Sequence, residues 1–150
     1  MASEAIESFP DGVVLQWRGP LGDEEMVDLV ASYGETPMPG WWDRVRPHSL
    51  GWVTARIADG TVVGFVNVVT DGCDHAFLID TKTRGGYQRS GVGTRVVTLA
   101  AQHAKAAGCE WLPVDFDDCL AAFYFDACGF EPVRAGLIDL RTLPDQEEPA

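Results

Sequence analysis

A run of β-forming residues, HAFLIDTKT (75–83), passes through RGGYQRSGVG (84–93) straight into a helix-forming run, TRVVTLAAQHAKAA (94–107). A strand, a glycine-rich loop and a helix in direct succession constrain the fold strongly. The first N–H groups of that helix have no intrahelical partner, and they face the loop with the positive end of the macrodipole. The charge pattern fits this geometry. Although the chain carries a formal charge of −12, no Asp or Glu occurs from Thr81 through Cys109, while five of its 11 Lys and Arg residues do. Small residues let a ligand approach the backbone closely, so Ser90, Gly91, Val92, Gly93 and Thr94 make a cradle for a diphosphate. Arg84, Arg89 or Arg95 is available to supply charge-assisted contacts. A carboxylate in the same stretch would repel the anion.

The common nucleotide motifs do not fit. A Walker loop needs GxxxxGK followed by Ser or Thr, and the dinucleotide fingerprint needs GxGxxG; neither pattern is completed here. Nucleotide hydrolysis and hydride transfer therefore lose ground. The rest of the chain supplies the frame. Strands are expected at 13–18, 51–57, 61–70, 75–83, 110–116 and 130–140, with a turn at Ala58-Asp59-Gly60 joining two of them as a hairpin. Helices are expected at 22–34, 94–107 and 117–129. In the second of these, Val96, Val97, Ala100, Ala104 and Ala107 recur at helical spacing before Gly108. Residues 35–49, rich in Pro, Gly and Trp, read as a structured loop with at most a short helix. The order β-α-β-β-β-α-β-α-β describes a mixed sheet with helices packed on it, in one α/β domain spanning 1–150 with tails near 1–10 and 144–150.

Several classes are excluded or disfavoured. So acidic a chain offers no broad basic face for nucleic acid. Its longest apolar runs fall far short of a membrane span, and its first residues carry neither a basic nor an apolar leader region, so a cytoplasmic protein is expected. Cys73, Cys109, Cys119 and Cys128 form no CxxC pair, and His48, His75 and His103 have no ligand spacing, so no metal is expected.

Gln88, Arg89, Ser90, Gly91, Val92 and Gly93 match the signature Q/R-x-x-G-x-G/A. With the preceding strand, the following helix, the segment EWLPVDF and the segment AAFYFDACGFEP in that order, the sequence resembles the GNAT superfamily of N-acetyltransferases. The resemblance covers 13–140 as architecture and is specific from about 77 to 132. It implies a mostly antiparallel central sheet of six to seven strands flanked by about four helices, and acetyl-CoA as cosubstrate. The pyrophosphate would lie on residues 88–94, the pantetheine arm along Thr81, Lys82 and Thr83, and Asp117 would take the place of a frequent Asn. Relatives are often homodimers.

The resemblance also implies that a Tyr of the penultimate helix protonates the leaving thiolate. Tyr124 precedes Gly129 by five residues rather than the usual four, so two registers are open. Counting from the helix start, with one extra residue at its C-terminus, keeps Tyr124 in place; the other register puts Phe125 there. For the general base, Asp80 and Asp115 lie near the ends of adjacent expected strands. Glu35 and Asp43 are candidates for holding a substrate cation, and Trp41 and Trp42 form either a cation–π wall or a hydrophobic plug. The leading expectation is an N-acetyltransferase acting by direct transfer on a small cationic amine. The alternatives are acetylation of a protein N-terminus or Lys, and a GNAT-fold module that binds CoA or a small ligand without chemistry.

Overall fold

Asp59 and Gly60 turn the chain between its two most β-prone runs: Gly60 adopts φ +89°, and its N–H bonds to the carbonyl of Ile57 at 2.9 Å. Around this hairpin the computed structural model, which describes residues 6–147, builds one five-stranded sheet. Its strands are β1 (Ile6–Ser8), β2 (Val14–Trp17), β3 (Ser49–Arg56), β4 (Val62–Thr70) and β5 (Ala76–Thr83), antiparallel throughout and ordered as in the sequence. Ile6–Ser8, expected within a tail, pairs with β2. Residues 1–5 and 148–150, also within the expected tails, lie outside the described residues.

Both faces of the sheet are covered. α3 (Val92–Ala106) lays Val92, Val96, Val97, Ala100 and Ala104 on one face, against Leu15, Val53, Val66, Val68 and Leu78. On the other face α1 (Asp23–Ser32) and the short α2 (Trp41–Val45) enclose Met26, Leu29, Trp42 and Phe65. β4 lies between the two layers, so its first seven residues are all buried, Asn67 among them. A continuous apolar run is what a strand covered on both faces requires.

Two expected strands are not formed, which leaves five in place of six to seven. Residues 110–116 run parallel to β5 but receive only two hydrogen bonds from it, Ala76 N–H to Trp111 O (2.9 Å) and Leu78 N–H to Pro113 O (3.1 Å). Pro113 has no N–H to return, so the ladder stops there. Residues 130–140 take no regular structure. The expected helix over 117–129 is a 3₁₀ turn (Asp118–Leu120) followed by a π-helical turn (Ala122–Ala127). Cys128 N–H reaches the carbonyl of Phe123 at 2.9 Å, five residues back. A π turn holds one residue more than an α turn, which is where the spacing of five between Tyr124 and Gly129 is taken up.

Candidate active site

The loop after β5 delivers the chain to α3 without a cap. Gly91, the residue before the helix, stands at φ +89°, a conformation that glycine adopts without steric cost, and no side chain bonds to the first turn. The N–H groups of Val92, Gly93 and Thr94 thus head the helix without an intrahelical partner. Gly93 has a second reason to lack a side chain. A Cβ there would sit 3.1 Å from the Phe123 ring, so its smallness also seats the π turn against α3.

The three arginines of the loop divide. Arg84 donates from Nε to Val62 O and from its terminal nitrogen to Asp28, each at 2.7 Å, while Arg95 bonds to Asp11 at 2.8 Å and lies over the Phe9 ring. Arg89 is exposed and makes no hydrogen bond or ion pair among the described residues. Distant parts of the chain therefore return carboxylates to two of the cations and leave Arg89 available. Gln88 and Ser90 are also exposed, and the Ser90 hydroxyl bonds back to the Tyr87 carbonyl.

Beyond Leu78 the end of β5 parts from residues 110–116. Asn67 pairs with Ile79 and Phe65 with Lys82, so Asp80 and Thr81 together oppose Val66 alone. This is a β-bulge, which bends a strand and re-aims its side chains. Asp80 accommodates it in the left-handed region, at φ +59°, a conformation Asp tolerates better than most residues. Burial raises the Asp80 carboxyl above the ordinary range, Lys82 pulls it back, and Asp115 pushes it further up.

Tyr124 closes the other side. It is buried, its ring is held by Phe116 (4.7 Å, stacked), Phe123 (4.7 Å) and Phe130 (5.8 Å), and its hydroxyl lies 3.1 Å from Thr81 Oγ1. Burial pushes its pKa above the ordinary phenol value, so the hydroxyl keeps its proton at neutral pH; the Thr81 contact opposes this shift, and Cys128 and Asp115 add to it. Phe125 packs edge-on against Phe116. Asp115 is exposed and close enough to affect both Asp80 and Tyr124, and Asp117 precedes the 3₁₀ turn without capping it.

The aromatic loop contributes unevenly. Trp42 is fully buried, with its indole N–H on Leu21 O at 3.1 Å and its ring edge-on to Trp52 and Phe65; it is the plug of the second core and unavailable to a ligand. Asp43 is exposed, outside the walls of the two depressions that Trp41 borders. Trp41 and Met38 border two depressions. The smaller, about 180 Å³, also has Glu35, Asp80 and Lys82 in its wall, with Lys82 Nζ 5.2 Å from the Trp41 ring centre. The larger, about 560 Å³, has Arg44, His48, Val69 and Ile79. Tyr33 belongs to the acidic group, although nothing in its sequence context marks it: burial, Glu35 and Asp80 push its phenol up to about 12.

At the opposite end of β5, His75 Nδ1 lies 2.9 Å from an Asp74 carboxylate oxygen and 3.4 Å from Asp71, a partly exposed group remote from the bulge. His103 stacks on Trp17 at 4.7 Å, on α3 and away from the loop. All four cysteines are free, and among the described residues no helix is long and apolar enough to cross a membrane.

A family model described as the acetyltransferase (GNAT) family matches residues 16–130. No curated protein sequence matches the chain. Among solved structures, a GNAT family acetyltransferase from Streptococcus pneumoniae superposes with a TM-score of 0.72 at 22% identity, covering 87% of this chain and 99% of that one. Glucosamine-6-phosphate N-acetyltransferase from Arabidopsis thaliana gives 0.65 at 15% identity, over 83% of this chain and 97% of that one. AAC(6')-Iy in complex with the bisubstrate analogue CoA-S-monomethyl-acetylneamine gives 0.66 at 17% identity, over 85% and 96%.

Proposed function

The chain belongs to the GNAT acetyltransferase family, and from that premise we propose that it transfers the acetyl group of acetyl-CoA directly to the nitrogen of a small primary amine. When bound, acetyl-CoA supplies the thioester; the carbon–nitrogen bond forms as the carbon–sulfur bond breaks. The residues at the head of α3 suit the pyrophosphate. Val92, Gly93 and Thr94 present N–H groups without an intrahelical partner, and Arg89 adds a cation that no carboxylate neutralises among the described residues. Thr81, Lys82 and Thr83 lead from the bulge towards that loop and would hold the pantetheine arm.

Two protons must move. An amine attacks only when neutral, and Asp80, whose carboxyl is raised by burial, takes the proton that the ammonium gives up, directly or through water. Asp115, near enough to shift Asp80 and Tyr124, is the second candidate for that role. The Tyr124 hydroxyl gives the departing sulfur its proton, burial having kept it protonated at neutral pH, and the second proton that the nitrogen sheds on becoming an amide restores the phenol. One observation carries this reading: Tyr124 Oη meets Thr81 at 3.1 Å in the bulge that also holds Asp80, and the same strand continues into the loop before an uncapped helix.

The depressions beside Trp41 bear on the acceptor. Glu35, Asp80 and the Trp41 face favour one cationic amine near the bulge. Arg44 and His48 in the adjoining depression disfavour a second cation, and Val69 and Ile79 favour an apolar body. The acceptor is therefore a monoamine with an apolar remainder. A thiol-release assay with such amines, polyamines and short peptides tests this. Turnover confined to peptides moves the function to protein acetylation, turnover of none with CoA binding intact makes the chain a binding module, and absent CoA affinity overturns the reading.

A further inference from the structure

Trp41 and Met38 stand in a wall common to two depressions, and the charges on its two sides differ in sign. The smaller holds Glu35 and Asp80 against Lys82 alone. The larger, about 560 Å³, has Arg44 and His48 and no Asp or Glu, in a chain that carries 23 acidic residues against 11 Lys and Arg. Neither side chain is used by the fold. Arg44 and His48 are exposed and make no side-chain hydrogen bond, ion pair or ring contact among the described residues.

What the fold does fix is where they stand. Trp42 is sunk in the core and anchors α2, and Arg44 lies three residues after Trp41, on the same side of that helix. Asp43, between them in the sequence, projects elsewhere and stays outside both walls. A 3₁₀ turn, Arg46–His48, carries Pro47 and ends at β3, whose first residue, Ser49, pairs with Val69. His48 is thereby set beside the floor of the depression, which Val69 and Ile79 supply. Ile79 is also the residue before Asp80, so one apolar floor runs from the bulge towards the two nitrogen-bearing side chains.

On the reading that this opening holds the acetyl acceptor, we propose that the acceptor is an aminocarboxylate, with its nitrogen beside Asp80, its hydrocarbon over Ile79 and Val69, and its carboxylate on Arg44 and His48. A guanidinium presents parallel N–H groups at the spacing of carboxylate oxygens, and an imidazole N–H adds a further donor. An alkylamine of the same length would meet neither. The span favours an acid several carbons from the amine. From Trp41 to Arg44 the helix rises ~4.5 Å, three residues at ~1.5 Å each, and Trp41 borders both depressions. The acceptor is therefore an ω-amino acid, whose methylenes cross the apolar floor.

The thiol-release assay compares β-alanine, γ-aminobutyrate and ε-aminocaproate, each with the alkylamine that lacks its carboxylate, and includes leucine as an acid of short span. Calorimetry titrates the same acids into the protein with and without CoA. For ε-aminocaproate kcat/KM should exceed that of its amine ~10-fold or more, the worth of a charge-assisted contact. Arg44→Gln should bring that ratio near one and lower the calorimetric affinity in step. Arg46→Gln, which removes the same charge from outside the depression, should leave both. Four results would overturn the proposal: a ratio near one for every pair, a preference that survives Arg44→Gln, an equal loss in both variants, or leucine favoured over the ω-amino acids. Failure of acetyl transfer itself reads differently. If no amine turns over, an acid bound by the wild type and released by Arg44→Gln retains the subsite while the transfer reading falls, and acids that bind neither protein overturn the subsite.

Discussion

Replacing Tyr124 by Phe removes one oxygen and leaves the ring. The ring's three aromatic neighbours, Phe116, Phe123 and Phe130, lose no contact. What goes is the hydroxyl's bond to Thr81, 3.1 Å long. Thr81 is only half-buried, so water can satisfy it, and the loss is that of one neutral hydrogen bond, about 0.5–1.5 kcal/mol. In a chain of this size each kcal/mol lowers Tm by about 2–4 °C. Removal of a general acid is a larger effect, typically 10²–10⁴-fold in rate, equivalent to about 2.7–5.4 kcal/mol of transition-state stabilisation. The variant should therefore melt slightly earlier, bind CoA as tightly in calorimetry, and lose at least ~100-fold in kcat in the thiol-release assay. The split between the readouts is the test. A kcat within about threefold of wild type for every active amine, far below the loss expected of a missing acid, would refute the role. So would a loss of CoA affinity that matches the loss of rate.

Asp80→Asn separates charge from shape, because Asn also tolerates a left-handed backbone. With its folded value raised, Asp80 retains a proton in the native chain at pH values where the unfolded chain has released it. Stability from this group is then full below the ordinary value of 3.8 and is lost as pH rises through the raised one. The variant should gain Tm at pH 7, lose that gain in acid, and lose ~100-fold or more in kcat/KM; a lower Tm at pH 7 contradicts the argument. Arg89→Gln should raise the CoA Kd by ~10-fold or more, the worth of a charge-assisted contact, while Arg84→Gln and Arg95→Gln, which break ion pairs with Asp28 and Asp11, should act mainly on urea stability. Asn67 is fully buried and neither amide atom has a partner among the described residues, so Asn67→Val should raise stability by about 1–3 kcal/mol. An unmoved urea midpoint would count against it.

What the sequence revealed was local. The Asp59–Gly60 turn and the apolar stripe of α3 depend on residues within a few positions of one another, and they stand where turn chemistry and periodicity put them, except that the helix starts two residues early, at Val92, and Ala107 lies exposed beyond its end. What the sequence left open or misread depends on partners far along the chain. Nothing near Arg84 or Arg95 announces Asp28, 56 residues away, or Asp11, 84 away. EWLPVDF has the alternation of a strand, but whether Pro113 interrupts a ladder depends on which neighbour it faces. Trp41 and Trp42 are adjacent and chemically identical, and only the docking of α2 on the sheet decides that Trp42 is plug and Trp41 is wall. The bulge that turns Asp80 comes from mismatched register between β4 and β5, which neither strand's composition encodes.

The π turn after Ala121 has a consequence for how this chain tolerates change in length. Its surplus residue belongs to the coil that carries the phenol, Ala122–Ala127, whose closing bond from Cys128 N–H to Phe123 O lies around a ring held by its aromatic neighbours. Excising Asp126, which is exposed, would let the coil relax to ordinary helical pitch and leave the hydroxyl against Thr81. An insertion or deletion before Phe123 would swing it off that oxygen altogether.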